Sequence, residues 1–299
     1  MTDRVTLVEV GPRDGLQNEP KPIDAATKIT LVDRLAAAGL PSVEAGAFVS
    51  PKWVPQMAAS DEVMRGIQRH EATDYPVLVP NLKGLEAAKT ADAETIAIFL
   101  AASESFSQKN INCSIDESFG RAAEVIAGAR ESGLQVRAYI SCVVGCPYEG
   151  AIEPIAVAKV AARLARLEVA EISLGDTIGV GTPGSVGTML KAVQDAVPSS
   201  TKLAGHFHDT YGQSLANILT AMNLGIRTFD TSVAGLGGCP YAPGASGNVA
   251  TEDVIYMLEG MGMETGADLD QIVDIGDWIC GVIGRSNGSK VAAAKLAAR

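Results

Sequence analysis

The segment Leu203-Ala-Gly-His-Phe-His-Asp-Thr210 is followed by the amphipathic stretch Gln213–Leu224, a stop at Gly225 and the β-branched run Thr228–Ser232. An apolar run, a helical pattern closed by glycine and a second apolar run make a strand–helix–strand unit. Its first strand, Lys202–His206, has a polar tip. Successive side chains on a strand alternate faces, so His206 and His208 project the same way. Two imidazoles on one face can hold one divalent ion, and the chain has only one other histidine, His70.

The same alternation repeats in both directions. Further strands are expected at Val5–Val10, Ser42–Ala47, Tyr75–Val79, Thr95–Leu100, Gln135–Ser141 and Ala170–Leu174. Between them lie helical patterns at Ala25–Ala38, Glu117–Glu131, Pro154–Leu167 and Pro183–Ala196, with Gly39 and Gly133 as further stops. About eight βα units close a (β/α)8 TIM barrel. No linker or composition shift divides the 299 residues, so a single catalytic domain is expected. The barrel should run from about residue 4 to 265, with extra C-terminal helices over about 266–299. A doubly wound sheet is the competing fold. Gly179-Val-Gly-Thr-Pro-Gly184 matches a dinucleotide-binding fingerprint, but Thr182 and Pro183 read as an N-cap and first helical residue. A plain βα turn is the better reading.

The formal net charge of −11 argues against nucleic acid and against docking on an anionic membrane. No apolar run approaches the ~20 residues that span a bilayer. The chain enters a strand at once, leaving no room for a targeting peptide. The five cysteines, an odd number, suit free thiols in a reducing compartment. A cytoplasmic protein is expected.

In a barrel the reactive groups collect at the C-terminal ends of the strands. Here these ends carry Glu9 with Arg13 and Asp14, then Glu44, then Asp176, then the two histidines, and last the loop Gly235–Asn248 with Cys239. Asp14, His206, His208 and Asn248 would give a carboxylate, two imidazoles and an amide oxygen. That set without thiolate favours Mg²⁺ or Mn²⁺ over structural zinc. Asn248 is the weakest of the four, since asparagine in a glycine-rich loop also serves turn geometry. Arg13 either stabilises a developing oxyanion or closes a salt bridge to Glu44 or Glu9, and the two roles are compatible. Cys239, in a loop of five glycines, reads as a proton-transferring thiol, whereas Cys113, Cys142, Cys146 and Cys280 read as inert and buried.

These residues sit in longer matching segments: Val8–Glu19, Phe48–Met57, Ser103–Ser118, Leu174–Gly184, the His206-Phe-His208 strand and the Gly-Leu-Gly-Gly-Cys-Pro-Tyr loop from Gly235. Through them the chain resembles the 3-hydroxy-3-methylglutaryl-CoA lyases, within a wider group of metal-dependent barrel lyases and synthases. The resemblance implies a (β/α)8 barrel and a Mg²⁺ or Mn²⁺ ion on Asp14, His206, His208 and Asn248. It implies catalytic roles for Arg13, Glu44, Asp176, His206 and Cys239, a CoA thioester substrate, and a homodimer. The implied reaction is retro-Claisen cleavage to acetoacetate and acetyl-CoA, with Asp176 or His206 as base. Lys52 and Lys109 are candidate CoA phosphate contacts. Two departures stand out: Ala45-Gly46-Ala47 replaces hydroxyl residues common in these lyases, and no cysteine follows Cys280. Alternatives are a lyase for a related 3-hydroxyacyl-CoA, a condensing synthase of the same group, or a silent binding barrel. The synthases commonly add a domain after the barrel, and a silent barrel would lack a ligand or acid–base residue.

Overall fold

The computed structural model describes residues 3–238 and 247–299. Eleven strands are present among them: β1 (Thr6–Glu9), β2 (Ser42–Val43), β3 (Gly46–Ala47), β4 (Val77–Leu78), β5 (Thr95–Ala101), β6 (Gln135–Ser141), β7 (Gly145–Cys146), β8 (Gly150–Ala151), β9 (Glu171–Asp176), β10 (Leu203–Phe207) and β11 (Thr228–Thr231). Nine pair in parallel in the order β2-β1-β11-β10-β9-β6-β5-β4-β3, while β7 and β8 form a small antiparallel hairpin. The expected strand Ser42–Ala47 is broken in two, and its halves are the two ends of that order. The Glu44 amide donates to the Glu9 carbonyl (2.8 Å) and the Ala45 amide to the Pro76 carbonyl (3.0 Å). One stave thus bonds to both of its neighbours, and the sheet closes as an eight-staved (β/α)8 TIM barrel.

Helices cover the outside, and their ends follow the chemistry of the sequence. Asp24 caps the helix Ala25–Ala37 by accepting the Thr27 amide (2.7 Å), and Ser114 with Glu117 forms a capping box on Ile115–Glu131. Thr182 and Pro183 begin the helix Pro183–Ala196 as read, which disposes of the dinucleotide fingerprint. Gly39 takes φ +90°, and a Cβ there would fall 2.2 Å from the Gly266 carbonyl oxygen, so only glycine serves. Short helices at Ser60–Gly66, Leu82–Thr90, Glu104–Ile111 and Thr251–Gly260 add to the expected set. Leu269–Ile283 and Lys290–Ala297 are the C-terminal helices; the first buries Leu269, Ile272, Val273, Ile279 and Ile283.

Gly46 has a local reason. A Cβ there would lie 2.7 Å from Ser60 Oγ, which accepts the Ala47 amide (3.0 Å) and donates to the Met57 carbonyl (2.9 Å). Glycine at 46 therefore leaves room for the Ser60 hydroxyl to bond the backbone.

On β10, alternation sends Phe207 to the opposite side from His206 and His208, and it is fully buried. Its ring lies over Gly205, where a Cβ would meet Phe207 Cε2 at 2.7 Å and Phe229 Cδ1 at 3.1 Å. Overpacking of this kind costs about 1–3 kcal/mol. Gly205→Ala is expected to lose that much stability in urea unfolding, and a variant as stable as the wild type would contradict the packing described.

Candidate active site

Asp14 sits in the single π-helical turn Gly11–Gly15 that follows β1. The Val10 carbonyl, at the centre of that turn, accepts the amides of Arg13, Asp14 and Gly15 (3.2, 2.7 and 3.1 Å). This fixes Asp14 opposite the tip of β10. His206 Nε2 and His208 Nε2 are 3.2 Å apart, and a carboxylate oxygen of Asp14 lies within 4.8 Å of both. Adjacent ligands of one hard cation, each bound at about 2.1 Å, stand about 3 Å apart. The donor set and its spacing therefore fit a divalent ion.

The protonation states of Asp14 and His208 agree with that fit. Desolvation would raise the Asp14 carboxyl, but Arg13 and then the two imidazoles outweigh it and lower it to about 2. His208 is lowered to about 4 by burial and by His206, which leaves a neutral ring with a lone pair. For His206 burial acts the other way to Asp230, whose carboxylate prevails and raises it. Asn248 lies beside His208 in an antiparallel bridge. Its amide nitrogen donates to Asp14 Oδ2 (2.8 Å) and to the Leu236 carbonyl (3.2 Å), so in this arrangement it braces Asp14 through nitrogen.

Arg13 donates from Nε to Glu44 (2.8 Å) and from Nη1 to Asp14 (2.8 Å). Of the two carboxylates expected to compete for it, Glu44 is the partner. Glu9 instead accepts the amides of Gly11 and Val233 (2.8 and 2.9 Å) and the Thr251 hydroxyl (2.6 Å). Asp176 ends β9, fully buried, with its oxygens accepting the Val180 and Gly181 amides (3.2 and 2.7 Å). Burial raises its carboxyl to about 6. Cys239 lies outside the described residues; the other four cysteines are buried free thiols. Lys109 lines the cavity of about 900 Å³ whose floor is Asp14, His206 and His208, whereas Lys52 is exposed and not part of its wall.

Four residues at this centre went unread in the sequence. Asp230 on β11 meets His206 Nδ1 (3.1 Å), Arg137 on β6 pairs with Asp230 (2.6 Å), and Ser173 on β9 donates to Asp230 (2.7 Å). Tyr139 presents its ring to both arginines, with centroid distances of 5.5 Å to Arg13 and 4.9 Å to Arg137. Its hydroxyl is buried with no hydrogen-bond partner among the described residues, and the ring lines the cavity. The signal was present: Arg137 and Asp230 are charged residues inside runs that otherwise read as interior strands.

Comparison with known proteins gives one answer. A family model described as HMGL-like matches residues 4–279. A Pseudomonas aeruginosa protein named 3-hydroxy-3-isohexenylglutaryl-CoA/hydroxy-methylglutaryl-CoA lyase is 58% identical over 294 residues, covering 98% of each chain. The mitochondrial hydroxymethylglutaryl-CoA lyase of Bos taurus is 58% identical over 291 residues, 97% of this chain and 89% of its own. A crystal structure of hydroxymethylglutaryl-CoA lyase from Pseudomonas aeruginosa superposes with a TM-score of 0.97 at 56% identity, covering 100% of this chain and 99% of that one.

The root of the Gly235–Asn248 loop supplies a test of the electrostatics. Glu252 is fully buried and accepts the Ala234 amide with both oxygens (3.0 and 2.9 Å). Burial raises Glu252 to about 8 and Glu9 to about 7, from an ordinary 4.5. Unfolded chains release these protons near 4.5 while the folded protein holds them to the raised values. Their contribution is therefore complete below about pH 4.5, shrinks steadily as pH rises from there, and is gone once pH has passed 7 for Glu9 and 8 for Glu252. Urea stability is expected to fall from about pH 4.5 to about pH 8 and to level off above that, and Glu252→Gln to flatten the fall. A variant whose profile matches the wild type would remove Glu252 as the cause.

Proposed function

The chain belongs to the HMGL-like family, and on that premise we propose that it cleaves 3-hydroxy-3-methylglutaryl-CoA to acetoacetate and acetyl-CoA. The observation that carries this reading is the convergence of Asp14, His206 and His208 beneath one cavity with Arg13 beside them. A Mg²⁺ or Mn²⁺ ion held there, with Asn248 turning its amide oxygen inward, would supply Lewis acidity toward the substrate's tertiary hydroxyl.

The side chains divide the remaining work. Arg13, held on both sides by Glu44 and Asp14, offers a fixed positive charge to the thioester oxygen as the carbon–carbon bond breaks and the electron pair becomes an enolate. Glu44 orients Arg13. His206 already commits Nδ1 to Asp230, and as a ligand it commits Nε2 as well, which leaves no lone pair to take a proton. That leaves Asp176 as the remaining candidate base; burial raises its carboxyl to about 6, and it stands behind the cavity wall, where its neighbour Thr177 lines the cavity. Cys239 would return a proton to the enolate carbon. Lys109 and Arg121 on the cavity wall, with exposed Trp53 beside them, suit the phosphates and adenine of CoA.

A second reading concerns breadth. The name of the Pseudomonas aeruginosa relative covers an isohexenyl as well as a methyl branch, and the cavity wall here includes Val79, Ile98, Phe99 and Val125. An apolar branch longer than methyl suits that wall. The homodimer and the cytoplasmic setting belong to the same proposal; no described helix is long and apolar enough to cross a membrane.

A coupled assay of acetyl-CoA release tests the function. Turnover of 3-hydroxy-3-methylglutaryl-CoA is expected with Mg²⁺ or Mn²⁺, to vanish with EDTA and to return on metal addition; no release under any of these conditions would refute it. Arg13→Gln is expected to lower kcat by about 10²–10³-fold, or about 3–4 kcal/mol, with little change in metal affinity. Retained turnover would remove Arg13 from the chemistry. Cys239→Ser is expected to slow product formation with substrate binding near normal.

A further inference from the structure

Asp230 touches no part of the cavity floor except the back of His206, yet every oxygen it carries is engaged. Arg137 donates from Nη2 to Oδ1 (2.6 Å) and from Nη1 to Oδ2 (3.2 Å), and Ser173 donates to Oδ2 (2.7 Å). Oδ2 also faces His206 Nδ1 at 3.1 Å. Arg137 is held in turn by Glu171 (2.7 Å). Strand register aligns the set: His206 pairs with Asp230 across β10 and β11, and Arg137 with Glu171 across β6 and β9.

We propose that Asp230, clamped by Arg137 and Ser173, is a positioning residue that fixes the His206 ring with its proton on Nδ1 and Nε2 open toward Asp14 and His208, thereby setting divalent-cation affinity. The inference rests on reading Asp14, His206 and His208 as a cation site. A free imidazole can turn over about its last torsion and carry its proton on either nitrogen. Asp230 removes both freedoms, because a carboxylate only accepts and its two oxygens cannot turn while Arg137 grips them as a fork. Tyr139 packs edge-on to the same ring, with centroids 6.1 Å apart and planes at 77°. The ring is held by a hydrogen bond on one edge and an aromatic wall on another, so its open nitrogen needs no reorientation to meet a cation. Partners of this kind behind a ligating histidine typically change metal affinity 10–100-fold.

The test uses the full chain and Mn²⁺ alone. Asp230→Asn is expected to weaken Mn²⁺ binding by about 10–100-fold in calorimetric titration, with the circular dichroism spectrum unchanged. Unchanged affinity in a folded variant would overturn the proposal. A second measurement stands if that variant fails to fold. Because the chain has only three histidines, ¹⁵N-histidine labelling gives three rings to assign, with His206 identified by its loss in His206→Gln. The Mg²⁺-loaded wild type is expected to show His206 protonated at Nδ1 alone, and a proton on Nε2 would overturn the assignment. A wild type that binds no Mn²⁺ would sink the cation reading together with the role of Asp230, whereas Mn²⁺ binding that survives Asp230→Asn sinks only the latter.

Discussion

The bond from the Glu44 amide to the Glu9 carbonyl closes the barrel, and the reactive centre depends on it. It joins the second stave to the first at the level where β1 gives way to the turn Gly11–Gly15. Closure therefore sets Glu44 within reach of Arg13, and Arg13 within reach of Asp14. Each of these charges is stabilised by the next in a sequence of alternating sign. Breaking one such buried pair commonly costs 3–5 kcal/mol, because the partner is left desolvated and alone. The same logic runs through Glu171, Arg137, Asp230 and His206 across the neighbouring staves. Two chains of alternating charge thus flank Tyr139, and both end at the proposed cation site.

Much of this was legible in the chain because the relevant patterns are local. Strand tips carrying Asp14, Asp176 and His206-Phe-His208 are visible once alternation and turn glycines are read, and Thr182-Pro183 declares its helix start without help. What stayed hidden depends on distant contacts. Arg137 and Asp230 are 93 residues apart, and a buried charge inside an apolar strand looks like an irregularity until its partner is known. Glu252, second in its helix after Thr251, reads as an ordinary acidic residue in a first turn, but it is folded inward against the Ala234 amide. The break in Ser42–Ala47 was invisible for a different reason: closure splits that strand between two partners, and closure is a property of the whole sheet.

The residues of the centre fall into a rigid set and a loop-borne set. Arg137, Ser173, Asp176, His206 and Asp230 lie on paired strands, while Asp14 and Arg13 sit in a turn bonded through one carbonyl. Charge stabilisation and cation binding need donors already in place, since donors that must reorganise during the reaction return part of the benefit. Paired strands for His206 and a turn bonded through the Val10 carbonyl for Arg13 and Asp14 would meet that need.

The loop that carries Cys239 is tied down at both of its described ends, and both ties lead back to the rigid set. At its start, Glu9 and Glu252 hold the successive amides of Val233 and Ala234, and Ala234 adopts a left-handed φ of +57°. For a non-glycine residue that conformation needs surrounding structure to impose it, and two buried carboxyls on adjacent amides impose it here. At its end, Gly247 accepts the Asp209 amide (2.8 Å) and Asn248 donates to Asp14. Glu9 belongs to β1, immediately before the turn that bears Arg13 and Asp14. A disturbance of the loop root is therefore felt by the strand that leads into Arg13 and Asp14, and a change at Asp14 by the loop's other end. The proposed proton delivery and cation binding would thus share backbone, so substitutions at Glu9 or Glu252 should act on both, although neither residue lines the cavity.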